Sequence, residues 1–180
     1  MDTRKLRKHH LGDWGEKLVL LRLRDHGFEV EPRGGFGAYD IDARRPPDDR
    51  IIRVEVKTSK WKNEGLRDRD GGPLYYWGWL VKDRDRHELR FDFLVGVAEV
   101  ARDIRGARFF IFSHAEAAAQ PSLKPRPGVK PKNVEKKIDL FGSKVNFDRA
   151  RASDLHLFSP LEEQLNTDPS QFEDQWSKIR

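Results

Sequence analysis

Glu55 and Lys57 stand two residues apart in Ile51-Ile52-Arg53-Val54-Glu55-Val56-Lys57, a run whose β-branched residues suit a strand. Side chains at i and i+2 of a strand share a face, so a carboxylate and an ammonium would lie side by side, roughly 6 to 7 Å apart along the backbone. Asp40 lies upstream in Tyr39-Asp40-Ile41-Asp42-Ala43, and the Pro-Pro-Asp-Asp sequence at 46–49 marks a turn between the two segments. A hairpin folding there would return the first strand beside the second and bring Asp40 close to Glu55. Asp42 shares the strand face of Asp40 and competes with it for the same role.

Two carboxylates so placed can share one divalent ion. Mg²⁺ takes hard oxygen ligands in octahedral geometry and keeps several waters, so Asp40, Glu55 and the backbone carbonyl of Val56 make a fitting protein share, with Mn²⁺ as a substitute. Hydrolysis of a phosphodiester needs an activated water, neutralisation of the charge growing on phosphorus and stabilisation of the leaving oxygen. Lys57 would position or deprotonate the water, or neutralise the phosphate; the residues leave these roles open. Glu16, on a preceding helix, is a fourth candidate. Its place three residues after Asp13 equally suits a capping partner.

The elements that must position these groups follow from local pattern. Asp13 reads as the cap of a helix that runs through Leu18, Val19, Leu20, Leu21 and Leu23 to Gly27. Phe28, Val30 and the glycines at 34, 35 and 37 then lead into the Asp40 strand. Tyr75, Tyr76, Trp77 and Trp79 suit a further strand, and packing is the expected use of these rings more than stacking on unpaired bases. Phe91, Phe93, Val95 and Val97 alternate as one face of a strand, and Arg108 to Phe112 is a short apolar run. Ser113 with Glu116 resembles a capping box that opens a short helix. Between Gln120 and Lys137, Pro121, Pro125, Pro127 and Pro131 sit among lysines, a composition expected to form a loop or extended arm. Pro160 and Pro169, each behind a capping residue, predict two more helix starts, the second carrying Phe172, Trp176 and Ile179 on one face.

Taken together, the Glu55-x-Lys57 strand, the aspartate on its hairpin partner and the glutamate on a preceding helix resemble the PD-(D/E)xK, restriction-endonuclease-like nucleases. The stretch GFGAYDIDARRPPDDRIIRVEVKTSK is similar to that of archaeal Holliday-junction resolvases and of NO VEIN C-terminal-type domains. The resemblance spans about residues 12–60. It implies an α/β fold, a mixed β-sheet flanked by helices, with catalysis by Asp40, Glu55, Lys57 and Glu16 on a bound Mg²⁺. Its Asp-Ile-x-Ala pattern favours Asp40 over Asp42. Tyr39 stands where the family pattern has proline, which departs from it.

Composition is compatible with this reading. Thirty-five Lys and Arg against 30 Asp and Glu give a net charge of +5, and a pI near 9.5 permits a nucleic-acid partner without requiring one. Lys60, Lys130 and Lys132 are candidate phosphate contacts. Cysteine is absent, which removes disulfides and thiolate metal sites. The start MDTRKLRKHH lacks the apolar run of a signal peptide, and no stretch approaches a membrane span, so a cytoplasmic location and no membrane partner are expected. The expected organisation is a basic segment at 1–11, a nuclease-like core at 12–119, the Pro/Lys-rich arm at 120–137, and a C-terminal extension at 138–180 with helices packing on the core. The expected function is a Mg²⁺-dependent DNA endonuclease working in restriction, repair or recombination. RNA presents the same phosphodiester, and a homodimer would suit cutting of two strands. A catalytically inactive nucleic-acid-binding module of the same fold and an interaction protein are the competing classes.

Overall fold

A computed structural model of the chain describes residues 3–34, 39–60, 74–83, 90–99, 107–119, 134–143, 156–158, 164–165 and 171–180. Helix α1 (Thr3–Asp25) begins ten residues before the expected cap at Asp13. The reason lies in the residues before it: Arg4, Lys5, Leu6, Arg7 and Lys8 are good helix formers, and they carry the helix through Gly12 and Asp13 at tolerable cost. The expected basic segment is therefore the first part of this helix. Its end agrees with the sequence. Arg22 and Arg24 sit in the last turn, where the helix dipole favours cations, and Gly27 adopts φ 82°, a left-handed conformation that glycine takes without penalty.

Five strands form a mixed sheet in the order β1-β2-β3-β5-β6, comprising β1 (Glu29–Pro32), β2 (Ile41–Arg44), β3 (Ile52–Lys60), β5 (Phe93–Glu99) and β6 (Ala107–Ser113). All neighbours are antiparallel except β3 and β5, which run parallel. The α/β expectation is met in this sheet and its flanking helix. Strand parity then sorts the side chains. Ile52, Val54 and Val56 of β3, Ile41 and Ala43 of β2, Val95 and Val97 of β5, and Phe109 and Ile111 of β6 pack with Leu18, Val19 and Leu23 of α1 in one buried cluster. The alternation in the β5 sequence is thus the core face, as the period-two pattern demands.

The opposite face is divided. Over β5 and β6 it is apolar: Leu94, Phe110 and Phe112 are buried, and Trp79 of β4 (Leu74–Asp83) packs on the two phenyl rings. β4 belongs to a second, four-stranded antiparallel sheet of order β4-β7-β8-β9, with β7 (Val134–Ser143), β8 (His156–Phe158) and β9 (Gln164–Leu165). β7 takes the last four residues of the expected 120–137 arm. Val134, Lys136, Ile138 and Leu140 alternate with Glu135, Lys137 and Asp139, and the lysines mask that strand period. The rest of the arm, and the expected helix start at Pro160, lie outside the described residues.

Ser113 caps α2 (His114–Ala118) as expected: its hydroxyl accepts from the Glu116 N–H at 3.3 Å, and Glu116 accepts from the Ser113 N–H at 2.7 Å. Ser113→Ala is expected to cost about 1 kcal/mol, measurable as a lower urea midpoint at unchanged slope. The C-terminal segment differs from expectation. Residues 171–174 run along the free edge of β6, with Ile111 N–H donating to Phe172 carbonyl at 2.8 Å and Asp174 N–H to Phe109 carbonyl at 3.0 Å. Trp176–Lys178 forms a short 3-10 turn. Phe172 packs on Phe112 while Trp176 packs on Phe109, so the three buried apolar residues wrap around an edge and occupy both faces of the sheet. Pairing with an open strand edge satisfies backbone groups that a helix would have satisfied internally.

Candidate active site

β2 pairs with β3 only through Ile41↔Val54, Asp42↔Arg53 and Ala43↔Ile52. Asp40 stands one residue before β2, where the chain leaves the sheet, and its N–H donates to the Val54 carbonyl at 3.0 Å. One step along the register this sets Asp40 opposite Glu55. Asp40 Oδ2 accepts the Val56 N–H at 2.7 Å, so its carboxylate lies in the gap that β2 leaves beside β3. In an extended strand a residue's N–H and C=O project to the same edge. The Val56 carbonyl therefore faces the same gap, where the sequence reading placed a third oxygen ligand.

Glu55 and Lys57 share the face away from α1, and their side chains form an ion pair through Glu55 Oε1 and Lys57 Nζ. Glu55 is the more enclosed, its side chain 14% exposed against 35% for Lys57. Burial raises the Glu55 carboxyl above the usual range; Lys57 draws it down, while Asp40 and Glu16 push it up. Glu16, on α1, lies close enough for its charge to act on Glu55. Its own carboxyl is raised, first by burial and then by Asp40 and Asp13, with Lys57 acting in the opposite sense. Asp40, Glu55, Lys57 and Glu16 thus sit within one another's fields at the point where β2 and β3 diverge.

The position of Glu16 removes its simpler explanation. Inside α1 the backbone donors near Asp13 are part of the helix, so Glu16 has no cap to complete. Asp13 acts on it as a like charge instead. Asp42 also separates from Asp40. It is buried and paired with Arg33, Oδ2 to Nε at 2.6 Å, and does not appear among the groups that perturb Glu16 or Glu55. Nothing in the spacing of residues 33 and 42 foretold that pair. Lys60 ends β3 and is exposed; Lys130 and Lys132 lie outside the described residues. Of the aromatic run, Trp79 is 1% exposed and donates its indole N–H to the Val97 carbonyl at 3.3 Å, a packing role.

This donor set fits a hard divalent cation. Two carboxyls are held above their ordinary range by burial and by facing further acid groups, the electrostatic condition that a bound cation relieves. Among the described residues no three His, Asp or Glu side chains converge into a cage, and Mg²⁺ requires none, since it retains waters beside one or two carboxylates.

The same strain yields a stability prediction. A carboxyl whose folded pKa is raised contributes stability below its unfolded pKa and loses it as pH rises through the folded value. In EDTA, Glu16→Gln should therefore unfold at a higher temperature than the wild type at pH 7, with the two converging near pH 3.5. Thermal unfolding across that range checks it; a less stable variant at pH 7 contradicts it.

The fold is similar to that of a bacterial homing endonuclease, I-Ssp6803I, with a TM-score of 0.51 at 16% identity over 95% of this chain and 91% of that one. The likeness is one of fold. No protein-family model matches the sequence, and no curated protein matches it significantly. Among the described residues, no helix is long and apolar enough to cross a membrane.

Proposed function

We propose that the chain is a Mg²⁺-dependent DNA endonuclease of the PD-(D/E)xK type, with its centre at Asp40, Glu55 and Lys57. The observation that carries this reading is the carboxylate of Asp40 held against β3 beside the Glu55–Lys57 pair at the divergence of β2 from β3, with Glu16 within electrostatic reach, on a fold similar to that of a homing endonuclease. Asp40, Glu55 and the Val56 carbonyl would hold the ion. When bound it supplies a Lewis acid for the phosphoryl oxygens and lowers the pKa of a coordinated water.

The chain's own residues do the rest. The Val56 N–H fixes one oxygen of Asp40, leaving Oδ1 available for the site. Lys57, held beside Glu55, places a positive charge where the scissile phosphate gains negative charge. Glu16 adds a third acidic group that can accept a hydrogen bond from the attacking water. A two-fold dimer would present two such centres to the two strands of a duplex.

The test is a cleavage panel of supercoiled plasmid, linear duplex, four-way junction, single-stranded DNA and RNA, in Mg²⁺, Mn²⁺ or EDTA. Cutting of DNA that EDTA abolishes is expected, and the preferred substrate identifies the biological class. Salt-sensitive binding without cutting in any metal would instead favour a binding module of the same fold.

A further inference from the structure

We infer that Gly15 and Thr58 form a steric register that sets how closely α1 approaches β3 and thereby positions Glu16 at the site. The inference rests on the nuclease reading above and names two positioning residues within it. Gly15 is buried in the middle of α1, directly against Thr58 of β3. A Cβ at Gly15 would lie 1.8 Å from Thr58 Oγ1, 3.0 Å from its Cβ and 3.2 Å from its Cγ2. The severe clash is with Oγ1, the Cβ contact at 3.0 Å needs a shift of only a few tenths of an ångström, and a β-branched side chain has few χ1 alternatives by which to swing Oγ1 away. An alanine would push the helix outward by about 1.5 Å to reach ordinary contact.

Each residue is locally unfavourable. A glycine inside a helix costs roughly 0.5 to 1 kcal/mol relative to alanine. Thr58 Oγ1 is buried without a hydrogen-bond partner, and a buried unsatisfied hydroxyl costs about 1 to 3 kcal/mol. Gly12, one turn earlier, has open space around it, so close approach is particular to Gly15. What the pair permits is a helix seated low on the strand that carries Lys57, with Glu16 the next residue along. Thr58 is thus turned into the α1 contact, while its neighbour Lys57 faces the other side of the sheet.

The effect should be large for so small a change, since displacing a catalytic-site group by about 1 Å can cost on the order of 100-fold. Four variants are compared with the wild type: Gly15→Ala, Glu16→Gln, Gly15→Ala with Thr58→Ala, and Gly15→Ala with Glu16→Gln. Mn²⁺ affinity is measured by calorimetry without nucleic acid, and cleavage rate on the best substrate of the panel. Gly15→Ala is expected to lower both about 10-fold or more, as Glu16→Gln does, and Thr58→Ala in the same chain to restore most of the loss. In the Glu16→Gln background, Gly15→Ala should cost nothing further, which a merely structural defect would not produce. Wild-type behaviour of Gly15→Ala, or an equal loss in both backgrounds, overturns the inference alone. A wild type that neither binds Mn²⁺ nor cuts overturns the functional reading and the inference with it.

Discussion

Lys57→Ala is expected to slow cleavage by roughly 100- to 1,000-fold, the cost of removing one group that stabilises charge developing in the transition state, without weakening the binding of Mg²⁺. The two readouts separate because of sign. Lys57 is a cation paired with Glu55, so its removal takes a positive charge away from the ion's surroundings and frees a carboxylate oxygen. Ion affinity should hold or tighten while the rate collapses. Metal titration by calorimetry, set beside single-turnover cleavage at saturating Mg²⁺, checks both halves. A Lys57→Ala enzyme of normal rate, or one whose loss is recovered simply by adding Mg²⁺, removes Lys57 from the chemistry.

The second large effect concerns the layer that covers the face of the sheet away from α1, the face that carries Lys57. Trp79 is almost wholly buried, and its ring fills the space over Gly96, where a Cβ would meet Trp79 Cε2 at 2.8 Å. Gly96 is the parallel-register partner of Lys57. Ser59 reinforces the junction by accepting the Gly78 N–H at 3.2 Å. Trp79→Ala empties this contact and leaves the Val97 carbonyl without its indole donor; the cost should be about 3 to 5 kcal/mol, lowering the melting temperature by roughly 10 °C or more. Trp79→Phe should cost less, because a ring still covers Gly96. Denaturant unfolding decides it, and a loss below about 1 kcal/mol in Trp79→Ala would mean the second sheet is held to β3 and β5 by other contacts.

Much of the site was legible because its parts are close in sequence and follow short periods. The i, i+2 spacing of Glu55 and Lys57 fixed a shared face, and the turn at Pro46 to Asp49 closed the hairpin that brings Asp40 across. Capping at Ser113 and the alternation of β5 were equally local. What local pattern could not carry is pairing over distance. Leu74 meets Ser143 across the second sheet, and nothing in either segment specifies the other. Charged residues also misled where they are good helix formers, as in residues 4–8, or alternate within a strand, as in β7. At the C-terminus three apolar residues at helical spacing satisfied both faces of a sheet edge instead, since the unpaired edge of β6 outweighed helix propensity. The Gly15 contact with Thr58 had no sequence signature, because a glycine needed for close approach looks like any other glycine.

The choice between the two aspartates of β2 and its approach bears most directly on where the chemistry resides. Asp40 accepts the Val56 N–H in the gap beside β3, whereas Asp42 is engaged by Arg33. The decisive measurement is cleavage by Asp40→Asn and Asp42→Asn, each followed across a Mg²⁺ titration and normalised to folded protein by thermal unfolding. Asp40→Asn should lose cleavage at every Mg²⁺ concentration while remaining folded, and Asp42→Asn should lose stability but cut with Mg²⁺ dependence like the wild type. Persistent cutting by folded Asp40→Asn, with activity lost in folded Asp42→Asn, would contradict the site at its centre.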